Sequence, residues 1–236
     1  MKNSRFQFLS LRHPYLLALI IFVLALLINL YFQPSILDSN TMNNNLRVFL
    51  PLVIVTAGQA IVVLTGGIDI SVGAIVSIVS ALLATRVGLD GTPQQTLIWF
   101  GIALLVGIIA GSINGFFVAY LRLQPIITTY ATSFLFGGLA LFILPQPGGG
   151  IPAEVAEIYR TGYPLGLHWA FYVIPFILLV WYLIRKTRFG RYLFAVGGKA
   201  EAAYQTAVPV SQVIFSTYVI SGFMAALAGI CIILLT

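Results

Sequence analysis

Asp69 is the acidic residue in this chain best placed to do something other than meet water. It lies in Leu64-Thr65-Gly66-Gly67-Ile68-Asp69-Ile70-Ser71-Val72-Gly73, between two apolar runs. Two successive glycines break a helix and free its last carbonyls, while Asp69 or Ser71 can cap the next helix by accepting backbone N–H bonds. The stretch has two readings. It is either a tight capped turn or a broken helix of the kind transporters place at their pathways, where protein or a wet cavity satisfies the backbone. Gln59 and Asn114 pose the same choice, because a polar side chain inside an apolar run either bonds a neighbouring helix or faces a polar solute. Gln59, Asp69, Ser71 and Asn114 are therefore the candidate pathway residues, and Gly66 and Gly67 the candidate break.

Other chemistry finds little support. The chain has no Gly-x-x-x-x-Gly-Lys-Ser/Thr phosphate loop. His13 and His168 have no acid or cysteine at a ligand spacing, so neither reads as a metal ligand or catalytic base. Cys231, the single cysteine, reads as a small apolar packing residue. A proton-coupled carrier more often holds ionisable groups deep inside its spans. The expectation is a protein that is not an enzyme and holds no metal or cofactor of its own.

The elements that position these residues follow from composition. Of the 236 residues, 60% are hydrophobic and 8% charged, which leaves too little polar surface for a water-soluble fold. Mean hydropathy is +1.02. Seven apolar runs are legible: Tyr15 to Phe32, Val48 to Leu64, Ser71 to Arg86, Leu97 to Tyr120, Pro125 to Leu144, Leu167 to Ile184 and Gln212 to Thr236. They are continuous rather than alternating, so they predict membrane helices and not barrel strands. The fold class expected is all-α, a polytopic membrane protein of about seven spans forming a single domain over 1–236. Pro51 is expected in the first turn of the second helix, where its missing N–H is harmless. Pro145 to Gly166 is expected as a loop. Gly107, Gly111 and Gly115, four residues apart in the fourth run, suit close helix contact.

The net charge of +6 does not point to nucleic acid, because the basic residues lie in short gaps between apolar runs. With the N-terminus inside, Lys2, Arg5, Arg12, Arg122, Arg185, Lys186, Arg188, Arg191 and Lys199 fall inside, and Arg47, Arg86 and Arg160 outside. That asymmetry favours a cytoplasmic N-terminus. It also places Arg185 to Ser211, the longest polar stretch, in the cytoplasm. Within it Ala200-Glu201-Ala202-Ala203-Tyr204-Gln205 reads as a short helix stopped before Pro209. Such a helix can dock in a partner's cleft or lie on lipid headgroups. The apolar run at the end has no polar tail, which points to a C-terminal segment beyond this sequence.

The Thr65–Gly73 stretch resembles the Thr-Gly-Gly-Ile-Asp-Leu-Ser-Val-Gly signature of permease subunits from bacterial ABC importers of the ribose/xylose/arabinose/galactose type, with Ile70 for the usual Leu. Asn114-Gly115, Gln124-Pro125-Ile126-Ile127-Thr128-Thr129, Thr187-Arg188-Phe189-Gly190-Arg191, Tyr218-Val219-Ile220-Ser221-Gly222 and Ala226-Leu227-Ala228-Gly229 resemble further elements in the family order. Lys199 stands where the family has Asn, and Ala207 where it has Gly. The resemblance implies a multi-pass permease subunit of the bacterial inner membrane, C-terminally truncated relative to the family, importing a monosaccharide or similar polar solute. It implies ATP bound by a partner ABC ATPase subunit, an extracytoplasmic solute-binding protein and a second permease subunit. It also implies that 185–211 is the segment coupled to the ATPase, with Gly198, Lys199, Glu201, Ala202, Ala203 and Thr206 at the contact. A secondary carrier working without an ATPase, or a non-transporting membrane scaffold, are the alternatives.

Overall fold

The structure is a computed structural model that describes residues 14–235. Lys2, Arg5 and Arg12, on which part of the orientation rests, lie outside the described residues, as do His13 and Thr236. Among the described residues all the regular structure is helical: α1 (Pro14–Phe32), α2 (Ser39–Leu64), α3 (Val72–Arg86), α4 (Pro93–Ala119), α5 (Pro125–Ile143), α6 (Ala153–Thr161), α7 (Ala170–Lys186), α8 (Arg188–Gln205) and α9 (Val210–Leu235). Each of the seven apolar runs forms one helix: α1 to α5, α7 and α9. By length and composition α2, α4, α5 and α9 can each cross a membrane. The α7 and α8 pair, bent by 80°, passes the same test together, while α1 and α3 are shorter apolar helices.

The chain divides into one compact unit ending at Asn45 and another beginning at Leu46. The first contains α1, whose apolar side chains are exposed nearly all round, as on a helix facing hydrocarbon. A 3-10 turn, Pro34–Leu37, follows it. Helix α2 starts at Ser39, well ahead of Val48, where the apolar run begins.

In the second unit α4 and α9 pack at backbone distance. A Cβ at Gly111 would strike the Tyr218 carbonyl oxygen, and one at Gly222 would strike that of Gly107. At Gly115 the added atom would lie 2.9 Å from the Phe215 carbonyl oxygen, whereas Gly101 faces open space. Water release drives little association between helices inside a membrane, so this close backbone fit supplies the van der Waals contact that holds the pair.

Pro51 is not in the first turn of its helix but well inside α2. A proline there deprives the carbonyl four residues back, that of Arg47, of its helical donor. The Tyr159 hydroxyl donates to this carbonyl at 2.9 Å. Tyr159 belongs to α6, a nine-residue helix inside the segment expected to be loop. Arg160 of α6 also donates from Nε to the Leu234 carbonyl at the end of α9, at 3.3 Å. His168 anchors the segment's far side. Its Nδ1 accepts from the Ala170 N–H at 3.2 Å, so the ring proton sits on Nε2 and donates to the Tyr159 carbonyl at 2.8 Å.

Two outcomes follow from this packing. Gly111→Val should destabilise the protein by roughly 1–3 kcal/mol through overpacking, while Gly137→Val, with open space at its Cβ, should not; thermal unfolding in one detergent compares them. Burial of His168 lowers its pKa from the ordinary 6.5. Because the folded value is depressed, its stabilising contribution is full above the ordinary value and fades as pH falls below it. Amide-exchange protection in α6, the measured rate relative to the intrinsic rate at each pH, should therefore fall between neutral and mildly acidic pH, and unchanged protection would show that His168 does not hold this segment.

Candidate functional site

The break after α2 is a complete C-terminal capping motif. Gly66 takes φ +80. Its N–H reaches the Val63 carbonyl at 2.9 Å, and the Gly67 N–H reaches that of Val62 at 3.1 Å. This pair of bonds around a left-handed glycine satisfies carbonyls that the end of α2 would otherwise leave open. Gly67 is required for a different reason: a Cβ there would lie 2.7 Å from the Tyr218 hydroxyl.

The chain then turns so that Asp69 points inward. Asp69 Oδ1 accepts the Ser71 N–H at 3.0 Å and the Ser71 hydroxyl at 2.7 Å. Oδ2 accepts the Ser221 hydroxyl of α9 at 2.8 Å. Ser71 occupies the N-cap position of α3 without a capping bond from its own side chain; the carboxylate of Asp69 binds its N–H instead. Asn114 of α4 donates from Nδ2 to Ser71 Oγ at 2.7 Å, and its Oδ1 accepts from Thr132 of α5 at 2.6 Å. The donors therefore run one way, from Thr132 through Asn114 and Ser71 to Asp69, an arrangement in which each bond polarises the next. Thr129 of α5 closes the loop over the break by accepting from the Ile70 N–H at 3.1 Å, and its one hydroxyl proton lies between the Pro125 carbonyl at 2.9 Å and the Ile68 carbonyl at 3.2 Å.

The structure thus brings all four candidate pathway residues together. Gln59 joins from α2, donating to the Asp69 backbone carbonyl at 3.2 Å. Asp69, Ser71, Asn114, Thr129 and Ser221 are each exposed by 1% or less. No Lys, Arg or His among the described residues forms an ion pair with Asp69, so hydroxyl and amide dipoles alone solvate its carboxyl. Such a group is stable in a buried site only when its acceptors are filled. Thr129 and Ser221 stood in the sequence only as members of family-like motifs, Thr132 in none, and none of the three was expected at the site. Their signal was a hydroxyl within an apolar run, which by itself is compatible with a bond to the residue's own helix. Beside the network, the end of α4 and the start of α5 line an open, mainly apolar hollow of about 370 Å³ that includes Phe117, Gln124, Thr128 and Thr132.

The polar stretch after α7 is more regular than expected. Thr187 caps α8, accepting the Gly190 N–H at 3.2 Å, and helix continues to Gln205 with one interruption at Lys199 (φ −161, ψ 102). The short helix expected over 200–205 is the part beyond this kink. Its end repeats the capping motif of α2, with Val208 N–H on the Ala203 carbonyl and Ala207 N–H on that of Tyr204, both at 3.1 Å. Ala207 therefore sits at φ +59, a left-handed conformation that favours glycine.

Of the expected contact residues, Gly198, Lys199, Glu201, Ala202 and Thr206 are exposed. Ala203 is not. At 4% exposure it packs with Leu193, Val196, Ile61, Val208 and Val213. Its small side chain is packed within its own protein. Tyr204, not singled out from sequence, is 74% exposed.

Three relatives are informative. The chain is 28% identical to the ribose import permease protein RbsC of Haemophilus influenzae over 242 residues, 98% of this chain and 73% of that protein. It is 32% identical to the autoinducer 2 import system permease protein LsrD of Salmonella typhi over 211 residues, 85% of this chain and 62% of the relative. It is 30% identical to the Escherichia coli RbsC over 203 residues, 84% of this chain and 62% of the relative. No solved structure matches. The chain thus spans less than two thirds of two of these relatives. A multi-pass bundle of apolar helices agrees with what these proteins are named for, and residues 41–236 match the family model described as the branched-chain amino acid transport system / permease component; the chain belongs to that family.

Proposed function

We propose that this chain is a membrane subunit of an ATP-driven importer for a monosaccharide or similar polar solute. It works in the bacterial inner membrane beside an ABC ATPase, an extracytoplasmic binding protein and a second permease subunit. Family membership and relatives named for ribose and autoinducer 2 import support the class. The observation that carries the mechanism is the exposed helix beyond Lys199, set off by a kink and presenting Ala202 and Tyr204. A short rigid helix with an exposed aromatic suits insertion into a partner's cleft.

In this reading ATP is bound and hydrolysed by the partner, and movement of the docked helix rocks the bundle between inward- and outward-open states. The segment 185–211 and the N-terminus face the cytoplasm, as the basic residues favour. The region holding α6 faces outward, where the binding protein delivers solute. The buried network around Asp69 holds the broken helix in place: the side chains of Asp69, Ser71 and Asn114 are bonded to one another and to Ser221 and Thr132, so these three set the shape of the path and do not contact solute from their present positions, whereas Gln59 Oε1 and the Tyr218 hydroxyl are buried without a hydrogen-bond partner among the described residues. Solute meets groups around this framework.

Cysteines at Tyr204 and Ala203 test the docking geometry. In a complex shown to assemble, Tyr204→Cys should crosslink to the ATPase at least about fivefold more efficiently than Ala203→Cys, as fits an exposed anchor beside a buried neighbour. Equal crosslinking, or none from Tyr204, would contradict docking through this face.

A further inference from the structure

The docking helix and the broken helix are far apart in sequence but meet directly at Gly197. A Cβ at Gly197 would occupy the space of the Leu64 carbonyl oxygen, and the Leu64 carbonyl carbon would lie 3.0 Å from it. Leu64 is the last residue of α2, and the capped break begins just beyond it. Hydrophobic packing reinforces the contact. Leu193 and Val196 before the kink, Ala203 after it, and Ile61 in the final turn of α2 belong to one buried apolar cluster. The segment thus meets the end of α2 backbone against backbone at Gly197, beside this apolar cluster.

From the break onward the connections are polar and stiff. Asp69 is tied through its backbone carbonyl to Gln59 of α2, and through its carboxylate to Ser71 and to Ser221 of α9. Asn114 and Thr132 extend the chain to α4 and α5. A close-packed contact transmits displacement because it has no slack to absorb it.

We propose that Gly197 is the positioning residue through which the docked segment moves the helix break: displacement of the helix beyond Lys199 passes through Gly197 and Ile61 to Leu64, and from there to the Asp69 network. This rests on the reading that the segment docks on an ATPase, and it adds the route by which docking reaches the membrane interior. Only glycine permits the contact, so a methyl group at this position separates the docking segment from α2 without touching either the ATPase or the network.

The test uses the assembled transporter in proteoliposomes with its ATPase and binding protein. Three quantities are read: solute moved per ATP hydrolysed, crosslinking from Ala202→Cys to the ATPase, and the ATP-dependent change in thiol labelling of Ile70→Cys, a half-exposed position in the break. Gly197→Ala should lower solute moved per ATP by roughly tenfold, within the usual range of coupling between sites. It should abolish the ATP response at Ile70→Cys while the Ala202 crosslink persists. Ala195→Val, an exposed position on the same helix, should leave all three at parental values. If Gly197→Ala does not assemble, Ile61→Ala loosens the adjoining apolar cluster without adding atoms and should weaken the same response.

A persistent crosslink together with an unchanged solute-to-ATP ratio and an unchanged labelling response would overturn the role of Gly197 and leave docking intact. Absence of the Ala202 crosslink in the parent protein would overturn docking itself, and this route with it.

Discussion

A buried carboxylate at a broken helix is the constraint around which this structure is organised. An isolated ionised carboxylate in an apolar interior is prohibitively costly, and a hydrogen-bonded one is tolerable. Asp69 meets that requirement with donors from the break itself and from α9, and the nearest donor is positioned in turn by α4 and α5. Helices that come together to satisfy one group cannot move independently without leaving one of its oxygens unfilled. The capping motif at Gly66 and Gly67 is the local condition for this: it ends α2 at the depth where Asp69 can reach Ser221.

Apolar packing then fixes what the polar network cannot. The glycines at 107, 111 and 222 let α4 and α9 approach until carbonyl oxygens occupy the space of missing side chains. This places Ser221 and Asn114 on adjoining helices within reach of the same short segment. Gly197 repeats the device at the membrane edge, where α8 meets the end of α2. Two contacts between distant parts of the chain, α4 with α9 and α8 with α2, thus use the same physical means, the absence of a Cβ.

Much of this was legible in the sequence, for identifiable reasons. Continuous apolar runs declare membrane helices because their signal accumulates over many residues, and consecutive glycines at the end of such a run declare a break. Gln59, Asp69, Ser71 and Asn114 stood out because polar groups are rare in apolar surroundings. Their mutual bonding was not legible, since the Asp69–Ser221 pair spans 152 positions and nothing local marks Ser221 as its partner. Pro51 was misplaced for a related reason. A proline inside a helix reads as a fault until the Tyr159 hydroxyl, 112 residues beyond Arg47, is seen to satisfy the freed carbonyl. The helix holding Tyr159 was itself hidden among prolines and glycines. Ala203 looked exposed because an alanine in a polar stretch carries no sign of which way it faces.

The central claim is that the Asp69 carboxylate couples the break to α9 through Ser221. A double-mutant cycle on stability, with Asp69→Asn, Ser221→Ala and the pair, measures that coupling most directly. The two residues share one hydrogen bond at 2.8 Å in a site closed to water, so an interaction energy of at least about 1 kcal/mol is predicted for residues in one network. Additivity within roughly 0.3–0.5 kcal/mol, the behaviour of independent sites, would contradict it.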